Sequence, residues 1–280
     1  MIEPQKADDA LLAEIQATDA GSSCALWWLG QSGFLLKHNS GHLLFDPYLS
    51  ESLTKKYAAT DKPHVRMTRR PINPKRLDMI DVVASTHAHT DHFDPATLIP
   101  LKQANPDLRL VLPEANRPAS IERLRTNGDW LVGVNDGETI DVAGFAFHPV
   151  PAAHEAIERD DHGRCKFLGY VVRFGDPSIT VYHSGDCVPF AGQAELLAPF
   201  DIDIALLPIN GRRPERRVAG NFWGREAAEL ANAIGAKLIV PCHFEMFEFN
   251  TEPPDEFTTA CQRLKQPCRV LRCGERVLYK

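Results

Sequence analysis

The chain has 280 residues, a formal net charge of −6, 44% hydrophobic residues and 24% charged ones. That length and apolar share can bury a sizeable core, and one domain spanning 1–280 is the simplest organisation. The acidic balance argues against a general nucleic-acid binder, MIEPQKADDALL lacks the basic and apolar regions of a secretory signal, and no apolar run approaches the ~20 residues of a membrane span.

In chain order, a first helix is predicted around Asp9 to Ala17. CALWWLG (24–30), GFLLKH (33–38) and HLLFD (42–46) follow as short apolar runs parted by Gly and Ser turns, as in neighbouring antiparallel strands. MIDVVAST then reads as a buried strand, DPATLIPLKQA as a helix capped by Asp94 with Pro95 at its first position, and LRLVLP as a strand. Strands are predicted at DWLVGV, FAFHPV, LGYVVRF, SITVYHS, IDIALLPI and KLIVPC, helices at WGREAAELANAIG and PDEFTTACQRL, and a terminal strand pair at CRVLRC and RVLYK. Strand-rich stretches alternating with amphipathic helices predict a layered α/β architecture. The seven cysteines are scattered without a C-x-x-C pair, which predicts reduced thiols in a cytoplasm.

The densest chemistry is STHAHTDH, residues 85–92. It begins where the strand DVVAST should end, at a sheet edge where loops build sites on a rigid scaffold. In a turn, His87 and His89 can converge on one ion while Asp91 and His92 face a second; imidazole with carboxylate suits Zn²⁺, Mn²⁺ or Fe²⁺. A pair of ions needs about seven protein ligands. VPAAHE supplies His154, VYHSGD supplies Asp186 and KLIVPCH supplies His243, each at the carboxyl end of an apolar run. Cys187 and Cys242 adjoin two of these but should face the other way, because a strand alternates its faces. His38, His42, His64, His148, His162 and His183 read as ordinary surface or core histidines.

H-A-H-T-D-H followed by His154, Asp186 and His243 resembles the metallo-β-lactamase superfamily. WWLGQSGFLL, YHSGD and IVPCHFEMF further resemble its branch containing L-ascorbate-6-phosphate lactonase. The resemblance implies a four-layer αββα sandwich, two mixed β-sheets flanked by helices, with a dinuclear centre of zinc or manganese. It also implies that His87, His89 and His154 bind the first ion, that Asp91, His92 and His243 bind the second, and that Asp186 bridges. Asp46 matches an early aspartate that braces the site without ligating.

Such a centre makes a hydroxide at neutral pH by lowering the pKa of a bound water towards ~7. The expected activity is hydrolysis of an ester or lactone, with Asp91 orienting the nucleophile and helping move a proton. A phosphodiesterase or nuclease is the alternative, and a non-catalytic metal-binding protein a third reading. The expected partner is a small anionic metabolite, with no membrane; a homo-oligomer is compatible with the sequence. Arginine forks match phosphate and carboxylate, so the loops 64–71 and 211–217 are candidate anion contacts. In the second, Arg212, Arg213, Arg216 and Arg217 are singled out, with Phe222 and Trp223 as a pocket wall.

Overall fold

The computed structural model describes residues 1–39 and 41–280. Its strands are β1 (Cys24–Gly30), β2 (Gly33–His38), β3 (Gly41–Phe45), β4 (Val82–Ala84), β5 (Arg109–Pro113), β6 (Leu131–Val134), β7 (Ile140–Val142), β8 (Phe145–Pro151), β9 (Leu168–Phe174), β10 (Ile179–His183), β11 (Ile204–Pro208), β12 (Leu238–Cys242) and β13 (Arg276–Tyr279). The helices are α1 (Asp8–Ala17), α2 (Ser52–Tyr57), α3 (Pro95–Ala104), α4 (Arg117–Leu124), α5 (Gln193–Leu197), α6 (Gly224–Ala233) and α7 (Asp255–Leu264).

The strands form two mixed sheets, in the orders β13-β1-β2-β3-β4-β5-β6 and β12-β11-β10-β9-β8-β7. Burial explains why CALWWLG is apolar throughout. Its alternate residues Cys24, Leu26 and Trp28 face the second sheet, while Ala25, Trp27 and Leu29 pack with Leu11 and Ile15 of α1 and Leu98 and Leu101 of α3. On the far side, Ala227, Ala228 and Ala231 of α6 and Phe257 of α7 join the core of the second sheet. Helices therefore cover the outer faces of two stacked sheets, the αββα sandwich that the resemblance implies.

Topology decides where the loops meet. β3, β4 and β5 are parallel in one sheet. In the other, β10, β11 and β12 are parallel, and β8 shares their direction because both β8 and β10 pair antiparallel with β9. The segments leaving β3, β4, β8, β10, β11 and β12 thus emerge together at carboxyl ends, where open α/β sheets place their sites.

Asp94 caps α3 as expected, accepting from the Ala96 amide at 3.2 Å with Pro95 at the first helical position. The expected strand CRVLRC does not form. Cys268 alone bridges to Ile239 of β12, because Pro241, the next residue of β12 that would donate to this segment, has no amide hydrogen, and the chain turns between Arg272 and Glu275. The helix α4 was not legible as a separate element in the sequence. No helix among the described residues is long and apolar enough to cross a membrane.

Candidate metal centre

The segment after β4 is laced into a fixed turn. Ser85 Oγ donates to the carbonyls of His87 at 3.2 Å and His92 at 3.0 Å, and the His92 amide donates to His89 O at 3.0 Å. From α4, Arg123 donates to the carbonyls of Ala88 and Phe93 and lies 4.9 Å over the Phe93 ring. A guanidinium with several donors suits exposed carbonyls at a loop. Neither Ser85 nor Arg123 was singled out in the sequence, since nothing local marks their targets.

The other contributors arrive from neighbouring strand ends. His154 follows β8, Asp186 follows β10 through Gly185, and His243 follows β12. Gly185 has φ +61°, and a Cβ there would meet Thr86 Cβ at 2.7 Å, so glycine alone allows the turn that aims Asp186 inward.

All seven side chains are brought together. His89 Nδ1 lies 3.2 Å from His154 Nε2, which is 3.6 Å from Asp186 Oδ2. His92 Nε2 is 3.2 Å from Asp186 Oδ1 and 3.7 Å from Asp91 Oδ2, and His243 Nε2 is 3.4 Å from Asp186 Oδ2 and 3.5 Å from Asp91 Oδ2. Three donor triads result, each with its atoms within 4.8 Å of one another: His87, His89 and His154; His87, His92 and Asp186; Asp91, His92 and His243. Neither Cys187 nor Cys242 enters a triad among the described residues. Burial pushes the Cys187 thiol up to about 12, and its Sγ donates to Val188 O.

Asp46, fully buried after β3, accepts from the Thr86 amide at 2.8 Å and from Thr86 Oγ1 at 2.7 Å, and its Oδ2 lies 2.6 Å from His92 Nδ1. That contact orients the ring so that Nε2 faces the centre. His154 Nδ1 likewise meets Gly220 O at 3.2 Å. Gln31, fully buried in the β1–β2 turn, was not singled out, yet its Nε2 is 2.8 Å from Asp91 Oδ2.

Electrostatics shows what the site calls for. Burial works to lower the His92 and His243 pKa values, but the carboxylates of Asp186, Asp46 and Asp91 outweigh it, raising His92 well above its usual value, and those of Asp186 and Asp91 raise His243 to about 9. Burial would raise Asp186, but His243 and His92 hold it well below the usual carboxylate range. His87 Nε2, His92 Nε2 and Asp186 Oδ1 are buried without a hydrogen-bond partner. Stranded buried polar atoms cost roughly 1–3 kcal/mol each, so a donor set of this kind, with buried carboxylates at its middle, fits divalent cations.

The centre floors a cavity of about 560 Å³ walled by Leu53, Tyr57, His64, Phe247 and Phe249, with Lys56 at the rim. His64 stacks on Tyr57 at 4.1 Å. In the sequence it reads as an ordinary histidine, because the partners that bring it to the cavity are Tyr57 of α2 and, far away along the chain, Phe247 and Phe249 after β12.

The segment 211–217 does leave β11 at this edge, but the cavity meets Val218 and Ala219, which follow it. Its arginines turn to acids: Arg212 to Glu226, Arg213 and Arg216 to Glu252, Arg217 to Asp61. Each of the four thus meets an acid, and none of them lines the cavity. Trp223 does not line it either. Its ring packs over Gly211, where a Cβ would meet it at 2.4 Å, and beneath Arg213, away from the cavity wall. Phe222 is buried in the core. In the loop 64–71, Arg66 bonds the carbonyls of Thr68 and Ser50, and Arg69 pairs with Glu3 and Asp8.

A fold of two stacked mixed sheets with a histidine and aspartate cluster at one edge defines a metallo-β-lactamase-type protein, and residues 42–244 match the family model described as a beta-lactamase superfamily domain. The chain is 30% identical over 241 residues to a UPF0173 metal-dependent hydrolase of Methanoregula boonei, covering 85% of this chain and 90% of that one. It belongs to the beta-lactamase superfamily and, within it, to the UPF0173 metal-dependent hydrolase family. Among solved structures, Igni18, a metallo hydrolase from Ignicoccus hospitalis KIN4/I, superposes with TM-score 0.67 at 21% identity, covering 92% of this chain and 99% of that one. An isothiocyanate hydrolase from Delia radicum gut bacteria gives 0.70 at 20% identity, covering 90% and 98%.

Proposed function

We propose that this hydrolase uses two divalent cations, zinc or manganese, to open an ester or lactone of a small anionic metabolite, the reaction implied by the resemblance to the L-ascorbate-6-phosphate lactonase branch. The observation that supports it most is the convergence of seven donor side chains, four of whose buried atoms, His87 Nε2, His92 Nε2, His243 Nδ1 and Asp186 Oδ1, have no hydrogen-bond partner. His87, His89 and His154 would hold one cation and Asp91, His92 and His243 the other, with Asp186 between them. When bound, the cations supply Lewis-acid polarisation of a carbonyl and lower the pKa of a shared water.

The chain's own residues do the rest. Asp91 lies at the cavity floor, where it orients the attacking water and carries a proton to the leaving oxygen. Asp46 and Gly220 O fix the rings of His92 and His154. Tyr57, His64 and Phe247 shield the reacting carbonyl from bulk water. Because the arginines of 211–217 are paired, the anion contact passes to Lys56 at the rim. The phosphodiesterase alternative draws no support from the cavity: its other lining cation, Arg123, is bonded to backbone carbonyls, and phosphate-backbone binding needs several free cations. The free thiols of all seven cysteines support a cytoplasmic location.

The test is metal analysis followed by a hydrolysis screen of phosphorylated and neutral lactones, carboxylic esters and phosphodiesters, with zinc-loaded and manganese-loaded protein. Near two cations per chain and turnover confined to lactones or carboxylic esters is expected. Near zero metal at saturation overturns the reading.

A further inference from the structure

The geometry points to Gln31 as an eighth donor of the cluster, a carboxamide that serves the second cation through Oε1 alongside Asp91, His92 and His243. The inference rests on the two-cation reading above. Gln31 is 1% exposed and sits in the β1–β2 turn at φ +51°, a left-handed conformation that residues other than glycine seldom adopt. Its carbonyl accepts from Trp28 Nε1 and from the His243 amide, both at 2.9 Å, so its backbone is tied to that of a proposed ligand. Non-glycine residues held in such backbone regions cluster at functional sites.

The side chain ends inside the donor cluster. Nε2 is 2.8 Å from Asp91 Oδ2 and 3.0 Å from His243 Nε2, two donor atoms themselves 3.5 Å apart. A carboxamide offers hydrogens from one atom and lone pairs from the other, and a half-turn about its last bond exchanges them. Facing the carboxylate oxygen of Asp91, the nitrogen is the atom that fits. With a cation held by Asp91 and His243, the oxygen becomes the fitting atom, and no backbone movement is needed to present it. The two cation sites then differ in kind. The first draws on three imidazoles and the shared Asp186, whereas the second draws on two imidazoles, the shared Asp186, Asp91 and an amide oxygen, a harder set that suits manganese better than the first does.

The experiment compares wild type with Gln31→Met, which keeps the chain length without the oxygen, and Gln31→Glu, which keeps an oxygen but removes the amide hydrogens. Affinities for Mn²⁺ and Zn²⁺ are measured by competition with a chromophoric chelator, and the Co²⁺-substituted d–d spectrum reports coordination. Gln31→Met should weaken the second cation by about tenfold to a hundredfold, the range for losing a supporting contact at a metal site, more for Mn²⁺ than for Zn²⁺, and shift the Co²⁺ spectrum. Gln31→Glu should hold the second cation at least as tightly as wild type. If Gln31→Glu weakens the second cation as much as Gln31→Met does, the amide acts only as a hydrogen-bond donor to Asp91 and the proposal is overturned. Wild-type binding by a folded Gln31→Met protein, checked by thermal melting, also overturns it. A wild-type chain that binds fewer than two cations brings down the two-cation reading itself, an outcome distinct from both.

Discussion

Two segments leave parallel strands at the same edge and carry five charged or ligating side chains each: 85–94 after β4 and 209–223 after β11. In the first, polar valence is left over. His87 Nε2 and His92 Nε2 are buried without a hydrogen bond, and the carboxylates beside His92 are themselves buried or half-buried. In the second, valence is spent, since each of Arg212, Arg213, Arg216 and Arg217 meets an acid. Position at a sheet edge is therefore a weak indicator of function by itself. What separates a site from a structural loop is whether the fold supplies internal partners for its charges.

Removing the carboxylate at the middle of the first segment's cluster is the most severe way to test that contrast. Asp186→Asn should cut activity by more than about a hundredfold, beyond the range for supporting contacts, because a neutral amide offsets two cations poorly. Metal content should fall with it. Full activity and two bound ions in this variant would show that the cluster's unpartnered atoms have another use.

Asp46→Ala comes next. It keeps every proposed ligand but strands His92 Nδ1 and both Thr86 donors in the core. Cation affinity should drop by about tenfold to a hundredfold, and stability by roughly 1–3 kcal/mol for each buried donor left unmatched. Asp46→Asn, which retains one acceptor oxygen, should recover part of both losses. Chelator competition and thermal melting separate the two effects.

How far each region was legible follows from the range of its interactions. Strands such as CALWWLG and DVVAST announce themselves because burial on both faces leaves a continuous apolar run. H-A-H-T-D-H is legible because its ligands lie within one turn. The acids that settle the arginines are distant: Glu226 lies 14 residues from Arg212, Glu252 lies 39 from Arg213, and Asp61 lies 156 from Arg217. Gln31 escaped for the same reason, being 60 residues from Asp91 and 212 from His243. The strand expected at CRVLRC failed on an edge effect that its own apolar residues do not report.

Arg216 separates structural from functional use within the second segment. It is buried, donates to the Asn210 carbonyl and to Thr251 O at 2.8 Å, and pairs with Glu252. Arg216→Ala should cost about 1–3 kcal/mol, a drop of several degrees in Tm for a chain of this size, with metal content unchanged. Lost metal without lost stability would mean that the segment acts on the centre after all.

The smallest expected effect is at Arg217, and it tests the contrast most directly. Its guanidinium is 2.8 Å from Asp61, and the two side chains are 62% and 75% exposed, so the pair is solvated and holds nothing in place. Lys56 lines the cavity with its Nζ 5.0 Å from the centre of the Tyr57 ring. A charge-assisted bond to a substrate anion contributes roughly 1.5–3 kcal/mol, so Lys56→Ala should raise KM for a phosphorylated lactone by about tenfold or more. It should leave KM for the unphosphorylated partner, and kcat for both, nearly unchanged, because such a grip acts equally in ground and transition states. Arg217→Ala should shift KM by less than about twofold, under 0.5 kcal/mol, as for surface substitutions generally. The reverse pattern, with Arg217 controlling KM for the phosphorylated substrate and Lys56 silent, would mean that the arginines leave their acids when substrate arrives, and the contrast between the two segments would fail.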